Sequence, residues 1–142
     1  MTKKVMVLMG GFSAEREVSL QSGAGIAEAL RRKGYEVTTH DLSDTRQLLA
    51  ELGRSKPDVV FNALHGNWGE DGTVPALLDL LQIPYTHSGM QASCVGMNKY
   101  LCRLIAEKAG LKTAYGRKLT AREFITQGSP VARPFVVKPV SD

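Results

Sequence analysis

The chain has 142 residues, of which 43% are apolar and 23% charged, which is ordinary for a folded water-soluble domain. No apolar run nears the roughly 20 residues that span a bilayer, and Met1-Thr2-Lys3-Lys4 before a short apolar run lacks the cleavage site of a secretory signal. Charge is uneven: residues 1–93 carry 9 basic and 11 acidic side chains, a net of −2, and residues 94–142 carry 9 and 3, a net of +6. Aromatics are not interleaved with the basic residues, so nucleic acid is a poor partner for that half.

Val5–Met9 reads as a buried parallel strand. It runs into Gly10-Gly11 and then a helix whose first turn carries Glu15 and Glu17. A glycine turn between strand and helix usually cradles phosphate. Here a carboxylate occupies the helix end, where the dipole favours negative charge, so the turn suits a cation such as a substrate ammonium. Gly10-Gly11 also lacks GxGxxG spacing, which argues against Asp41 as a ribose-binding acid.

Val18, Ser22, Ile26, Ala29 and Leu30 recur at helical spacing, and Gly34 marks a stop. Tyr35–Leu42 is expected as a strand, Thr45–Leu52 as a helix and Asp58–Leu64 as a strand after Pro57. Residues 66–72 form a Gly-rich loop. Thr73 is expected to cap a helix that has Pro75 in its first turn and runs to Leu81; Ile83–Thr86 completes the pattern as a short strand. This alternation predicts an α/β domain with a parallel sheet flanked by helices, over residues 1–95.

A second unit is expected over 96–142. Met97–Ala109 reads as a helix, Thr113–Leu119 as a strand, Thr120-Ala121-Arg122-Glu123 as a capping box for a helix ending at Gly128, and Phe135–Pro139 as a strand. This unit is expected to expose strand edge and an apolar helix face. Cys94 and Cys102 match no metal or redox spacing and read as free buried thiols.

His65 falls at the C-terminal end of a predicted strand, where open α/β sheets bind ligands. Its imidazole could donate to a carboxylate or a developing negative charge. Glu70 and Asp71 are adjacent, so their side chains diverge; they suit loop bracing or capping better than a metal. Arg16 and Glu17 read as surface, His40 and His87 as structural or surface. Lys99 opens a helix and Lys138 ends a strand, and both could neutralise phosphate.

Taken in order, Gly10–Leu20, Ala63–Gly72, Pro84–Gly89, Met97-Asn98-Lys99 and Val136-Val137-Lys138-Pro139 resemble the N-terminal part of the D-alanine–D-alanine ligases, which are ATP-grasp enzymes. The resemblance spans the whole chain. It implies a Rossmann-like pre-ATP-grasp domain followed by the incomplete start of an ATP-grasp domain. It implies that Glu15 meets the ammonium of the first D-alanine, with Val18 close by, that His65 sits beside the reacting carboxyl, and that Lys99 and Lys138 hold ATP phosphates. ATP and Mg2+ (or Mn2+) are the implied cofactors, the metal ligands falling outside this chain. D-alanine is the implied partner, with no nucleic acid or membrane, and the implied setting is a cytoplasmic homodimer serving peptidoglycan synthesis. The chain is expected to be an inactive fragment. D-Ala–D-lactate and D-Ala–D-Ser ligases, or a non-enzymatic α/β binding module, are the alternatives. Two departures from the family pattern stand out: Asn98 replaces the usual Asp, and Phe12 replaces a commoner small or polar residue.

Overall fold

A computed structural model describes residues 2–141. By packing, the chain divides into two units, Met1–Cys94 and Val95–Asp142.

Unit 1 is built on three parallel strands in the order β2-β1-β3. The central strand β1 (Lys4–Gly10) pairs with β2 (Glu36–Leu42) in the register Val7↔Thr39 and with β3 (Val59–Asn62) in the register Val7↔Phe61. Val5, Met6, Val7 and Leu8 are all buried, because β1 has neighbours on both edges and side chains over both faces. On one face Met6 and Leu8 join Leu42, Val60 and Leu64 with Leu48 and Leu52 of α2 (Thr45–Ser55) and Val74 and Leu78 of α3 (Thr73–Leu80). On the other, Val7 and Ala63 pack with Ala27, Ile26 and Leu30 of α1 (Arg16–Arg32).

The buried stripe of α1 is Ser19, Gly23 and Ala27, one position round from the stripe expected through Val18 and Ser22. Small residues win this face because the helix lies close on β1: a Cβ on Gly23 would stand 2.6 Å from the Cβ of Met9. Val18 is left 53% exposed. Gly34 does end the helix. Its φ is +84°, its N–H donates to Arg31 O at 2.9 Å, and the Tyr35 N–H donates to Leu30 O at 3.2 Å, the paired bonds of a Schellman motif.

Other expectations need correction. Glu15 is the N-cap of α1 rather than a first-turn residue, since its carbonyl accepts the Ser19 N–H at 3.0 Å. Thr73 is not the cap of α3: Gly72 takes that place in a left-handed conformation, and the Asp71 carboxylate accepts the Thr73 N–H. Ile83–Thr86 contributes a single parallel bridge, Val60↔Tyr85, and the next β3 donor, the Asn62 N–H, goes to the Thr86 hydroxyl at 3.1 Å instead of to backbone. Arg16 does lie at the surface, as expected, but it is held there in a bidentate pair with Asp41.

A helix over Met90–Met97 (α4) was not expected; the boundary between the units falls within it. In unit 2, α5 (Lys99–Lys108) is capped by the Asn98 side chain, which accepts the Leu101 N–H at 3.0 Å. Amide oxygen thus does the work expected of the family's carboxylate. Thr120 and Glu123 form the reciprocal capping box of α6 (Ala121–Gln127), which ends at Gly128. Neither 113–119 nor 135–139 forms a strand among the described residues. A strand exists only through a ladder, and Pro130, Pro134 and Pro139 supply no N–H to one. Neither α5 nor α6 has a buried residue, and Leu104, Ile105, Phe124 and Ile125 are exposed. Cys94 and Cys102 are free but exposed rather than buried; the Cys94 thiol donates to Asp71 O at 2.9 Å.

Candidate functional site

The C-terminal ends of β1 and β3 deliver two loops side by side. The first is Gly11–Glu15. Gly10 and Gly11 have φ of +85° and +88°, a region side chains resist. A Cβ on Gly10 would stand 2.1 Å from Asp41 Oδ1 and 2.6 Å from an Arg16 guanidinium nitrogen, so a side chain here would displace the ends of both partners as well as strain the torsion. The Arg16 guanidinium holds both Asp41 oxygens, at 2.7 and 2.6 Å, and also donates to Gly11 O at 3.3 Å. The hydrogen bond to Asp41 raises the Arg16 pKa above its ordinary value against the cost of desolvation. Asp41, occupied in this way, is not a ribose ligand.

Ser19 fastens the arrangement. Its buried hydroxyl accepts the Gly10 N–H at 2.9 Å and donates to Ala63 O at 2.7 Å, so one side chain joins α1 to the ends of β1 and β3. The helix start is set by Ser13, whose carbonyl accepts the Arg16 N–H and whose hydroxyl accepts the Glu15 N–H. The Glu15 carboxylate caps no N–H of its own helix and is exposed. It is therefore available to a cation, with Val18 exposed three residues on, on the same helix face.

The second loop follows β3. The buried Asn62 side chain donates to Gly69 O at 2.8 Å and accepts the Leu64 N–H at 3.1 Å, which curls the chain back on itself. Glu70 accepts the Gly66 N–H at 2.8 Å, and Asp71 accepts the N–H groups of Trp68 and Thr73, each at 2.9 Å. Both acids are loop braces. Burial would raise the Asp71 pKa, but these backbone donors outweigh it and hold the carboxyl below its ordinary value.

The braced loop sets His65 and Gly66 beside the first loop. A Cβ on Gly66 would meet Ser13 Cβ at 3.0 Å and Glu15 Oε2 at 3.4 Å. His65 Nε2 is buried and has no hydrogen-bond partner in the structure. An unpaired buried imidazole nitrogen is costly, and such atoms concentrate where chemistry is done. Glu15 is thus brought close to the His65–Gly66 segment in unit 1, with Val18 exposed three residues along the same helix. His40 Nε2 is likewise buried and unpartnered, but on β2. His87 is exposed, with φ of +120°.

Unit 2 gathers the two lysines. A cleft of about 190 Å3 is lined by Lys99, Arg103, Arg117, Lys118 and Lys138 around Tyr100. The Arg103 guanidinium lies 5.9 Å and the Lys118 ammonium 5.6 Å from the Tyr100 ring centroid. Five cations on one small concavity suit a polyanion. Among the described residues no three His, Cys, Asp or Glu side chains converge to hold a metal.

Ser19, the Arg16–Asp41 pair and a Phe12–Trp68 ring contact were not singled out as partners from sequence. The small-residue stripe Ser19-Gly23-Ala27 was the available signal for the first.

A parallel sheet with an unsatisfied imidazole and a helix-end carboxylate at its C-terminal edge is the arrangement of a candidate α/β small-molecule site. The model of the D-ala D-ala ligase N-terminus matches residues 4–57 and 43–88, and the chain belongs to that family. It is similar to D-alanine–D-alanine ligases of Parvibaculum lavamentivorans (51% identity over 99% of this chain and 44% of the relative) and Paramagnetospirillum magneticum (49%, over 100% and 47%). The crystal structure of the Bacillus anthracis D-alanine–D-alanine ligase complexed with ATP superposes with a TM-score of 0.75, at 31% identity, over 91% of this chain and 46% of that one. The chain spans less than half the length of these relatives.

Proposed function

We propose that this chain supplies the first-substrate half of an ATP-dependent D-alanine–D-alanine ligase and part of its nucleotide site. The observation that carries the reading is the exposed Glu15 carboxylate set against Gly66, next to a buried, unpartnered His65 Nε2. An amino acid is a cation and an anion about one carbon apart. Glu15 takes the ammonium, Val18 lies beside it, and His65 donates to the carboxyl group, where negative charge gathers during reaction.

In the first step, a carboxylate oxygen of D-alanine bonds to the γ-phosphorus of ATP as the bond to ADP breaks. Lys99 and Lys138 offset the phosphate charge. In the second, the neutral amine of another D-alanine attacks the acyl carbon, loses a proton, and inorganic phosphate leaves. Holding both reactants supplies much of the rate. The family's Mg2+ would screen phosphate charge, but the described residues offer it no ligand set, so no step here runs through it. On this reading the intact enzyme is a cytoplasmic homodimer that supplies dipeptide to peptidoglycan synthesis.

The test is D-alanine-driven phosphate release from ATP. Residues 1–142 joined to the C-terminal remainder of a ligase relative are expected to release phosphate and form D-alanyl-D-alanine. The 142-residue chain alone is expected to do neither. Turnover by the chain alone, or a folded hybrid inert to D-alanine, overturns the reading.

A further inference from the structure

The two loops of the unit 1 site touch at a second place. The Phe12 ring meets the Trp68 ring edge-on, with centroids 5.4 Å apart and planes at 64°. Phe12 follows the Gly10-Gly11 turn and precedes Ser13 and Glu15; Trp68 follows His65 and Gly66. The ring pair and the close approach of Ser13 and Glu15 to Gly66 therefore bring the same two segments together at two places.

Trp68 is held for this contact. Its φ is +74°, a left-handed conformation that a bulky residue rarely adopts. Its N–H is fixed by Asp71 and its carbonyl by the Val74 N–H at 3.1 Å, while part of the ring packs on the core beneath α3. Phe12 is anchored far less: it is 49% exposed. A half-exposed Phe at the tip of a glycine turn has little to gain from core burial. Its ring is placed by the tryptophan.

We infer that the Phe12–Trp68 pair is a latch that holds the glycine turn against the His65 loop and so sets the position of Glu15 relative to His65. Both are positioning residues. The inference rests on the reading that Glu15 and His65 act on one substrate, but the latch itself is a property of the free chain. Edge-to-face rings attract beyond the area they bury, enough to shift a loop-opening equilibrium by about three- to tenfold.

Trp68 is the single tryptophan, so its emission reports the latch directly, and three histidines give separable ring signals by NMR. In Phe12→Ala, Trp68 emission moves to the red and its acrylamide quenching rises. Amides of Gly66 and Trp68 exchange about three- to tenfold faster, and the His65 ring resonances shift. Core amides of β1 and β3 keep their protection. Phe12→Tyr restores all of these, and Phe12→Leu, which keeps apolar bulk without a ring edge, restores none fully. A changed Trp68 emission with unmoved His65 and Gly66 signals overturns the latch, because the ring contact would then be local. Full recovery in Phe12→Leu also overturns it. Either result leaves the ligase reading untouched. A working latch in a hybrid that shows no D-alanine-driven phosphate release overturns the ligase reading alone.

Discussion

The hydroxyl of Ser19 lies 2.7 Å from the carbonyl oxygen of Ala63, and both groups are buried. The Ser19 hydroxyl oxygen also accepts the Gly10 N–H, so a single side chain satisfies one orphan donor from β1 and one orphan acceptor beyond β3. It spans the distance between the two loops from underneath.

Ser19→Ala therefore strands two buried backbone groups. The cost is about 2 kcal/mol, the desolvation penalty of such groups rather than the net value of one bond. Urea unfolding should show a lower midpoint with an unchanged slope. A loss under about 0.5 kcal/mol would mean that the helix can shift to re-pair both groups.

Gly10→Ala combines a positive φ with a collision against Asp41 and Arg16. The added methyl must push the ion pair apart, and strain adds about 1–2 kcal/mol. The expected outcome is a destabilised chain in which a second change, Asp41→Ala, costs less than it does in the parent. The measurement is a double-mutant cycle by urea unfolding.

Asp71 gives a pH dependence with a defined sign. Its carboxyl pKa is lower in the folded chain than its ordinary value, because the Trp68 and Thr73 N–H groups favour the charged form. The stability it contributes is therefore present above the unfolded pKa of about 4 and is lost as pH falls through the lower folded value. Asp71→Asn removes that part of the acid slope and weakens the chain at neutral pH, where an amide group replaces one acceptor oxygen. Thermal unfolding of both proteins between pH 7 and pH 2.5 reads it. Parallel profiles would show that the carboxylate is not the source.

Lys138→Met is expected to weaken nucleotide binding tenfold or more in the ligase hybrid, about the loss of one charge-assisted bond to phosphate. The unfolding of unit 1 should be unchanged, since Lys138 belongs to unit 2. Affinity is read by calorimetry with a non-hydrolysable ATP analogue. Equal affinity in parent and variant would remove Lys138 from the phosphate site.

The parts of this fold that were legible in sequence are those with local causes. The unbroken apolar run of β1, the glycine stop at Gly34 and the Thr120–Glu123 box each declare themselves within a few residues. The places of the candidate residues Glu15 and His65 were legible for a similar reason, as each follows an abrupt change from strand to glycine-rich turn. The failures concern partners far apart in the chain. That Ser19 would face inward and Val18 outward depends on how closely α1 approaches Met9. That Arg16 would seek Asp41 depends on β2 lying beside β1. The missing strands in unit 2 have the same cause, since an extended segment becomes a strand only through a neighbour.

The sheet order has a consequence for synthesis. Of the three strands, β1 is made before β2 and β3 yet lies in the middle, and its second edge is filled by residues 59–62, with Val5 meeting Val59. A nascent chain that ends before residue 59 can pair β1 with β2 but leaves the other edge of β1 open. Completion must wait for more than fifty intervening residues, a closure of high contact order in a parallel sheet. Until then the apolar run Val5–Leu8 is open on one side, and that is the interval in which a chaperone would find it.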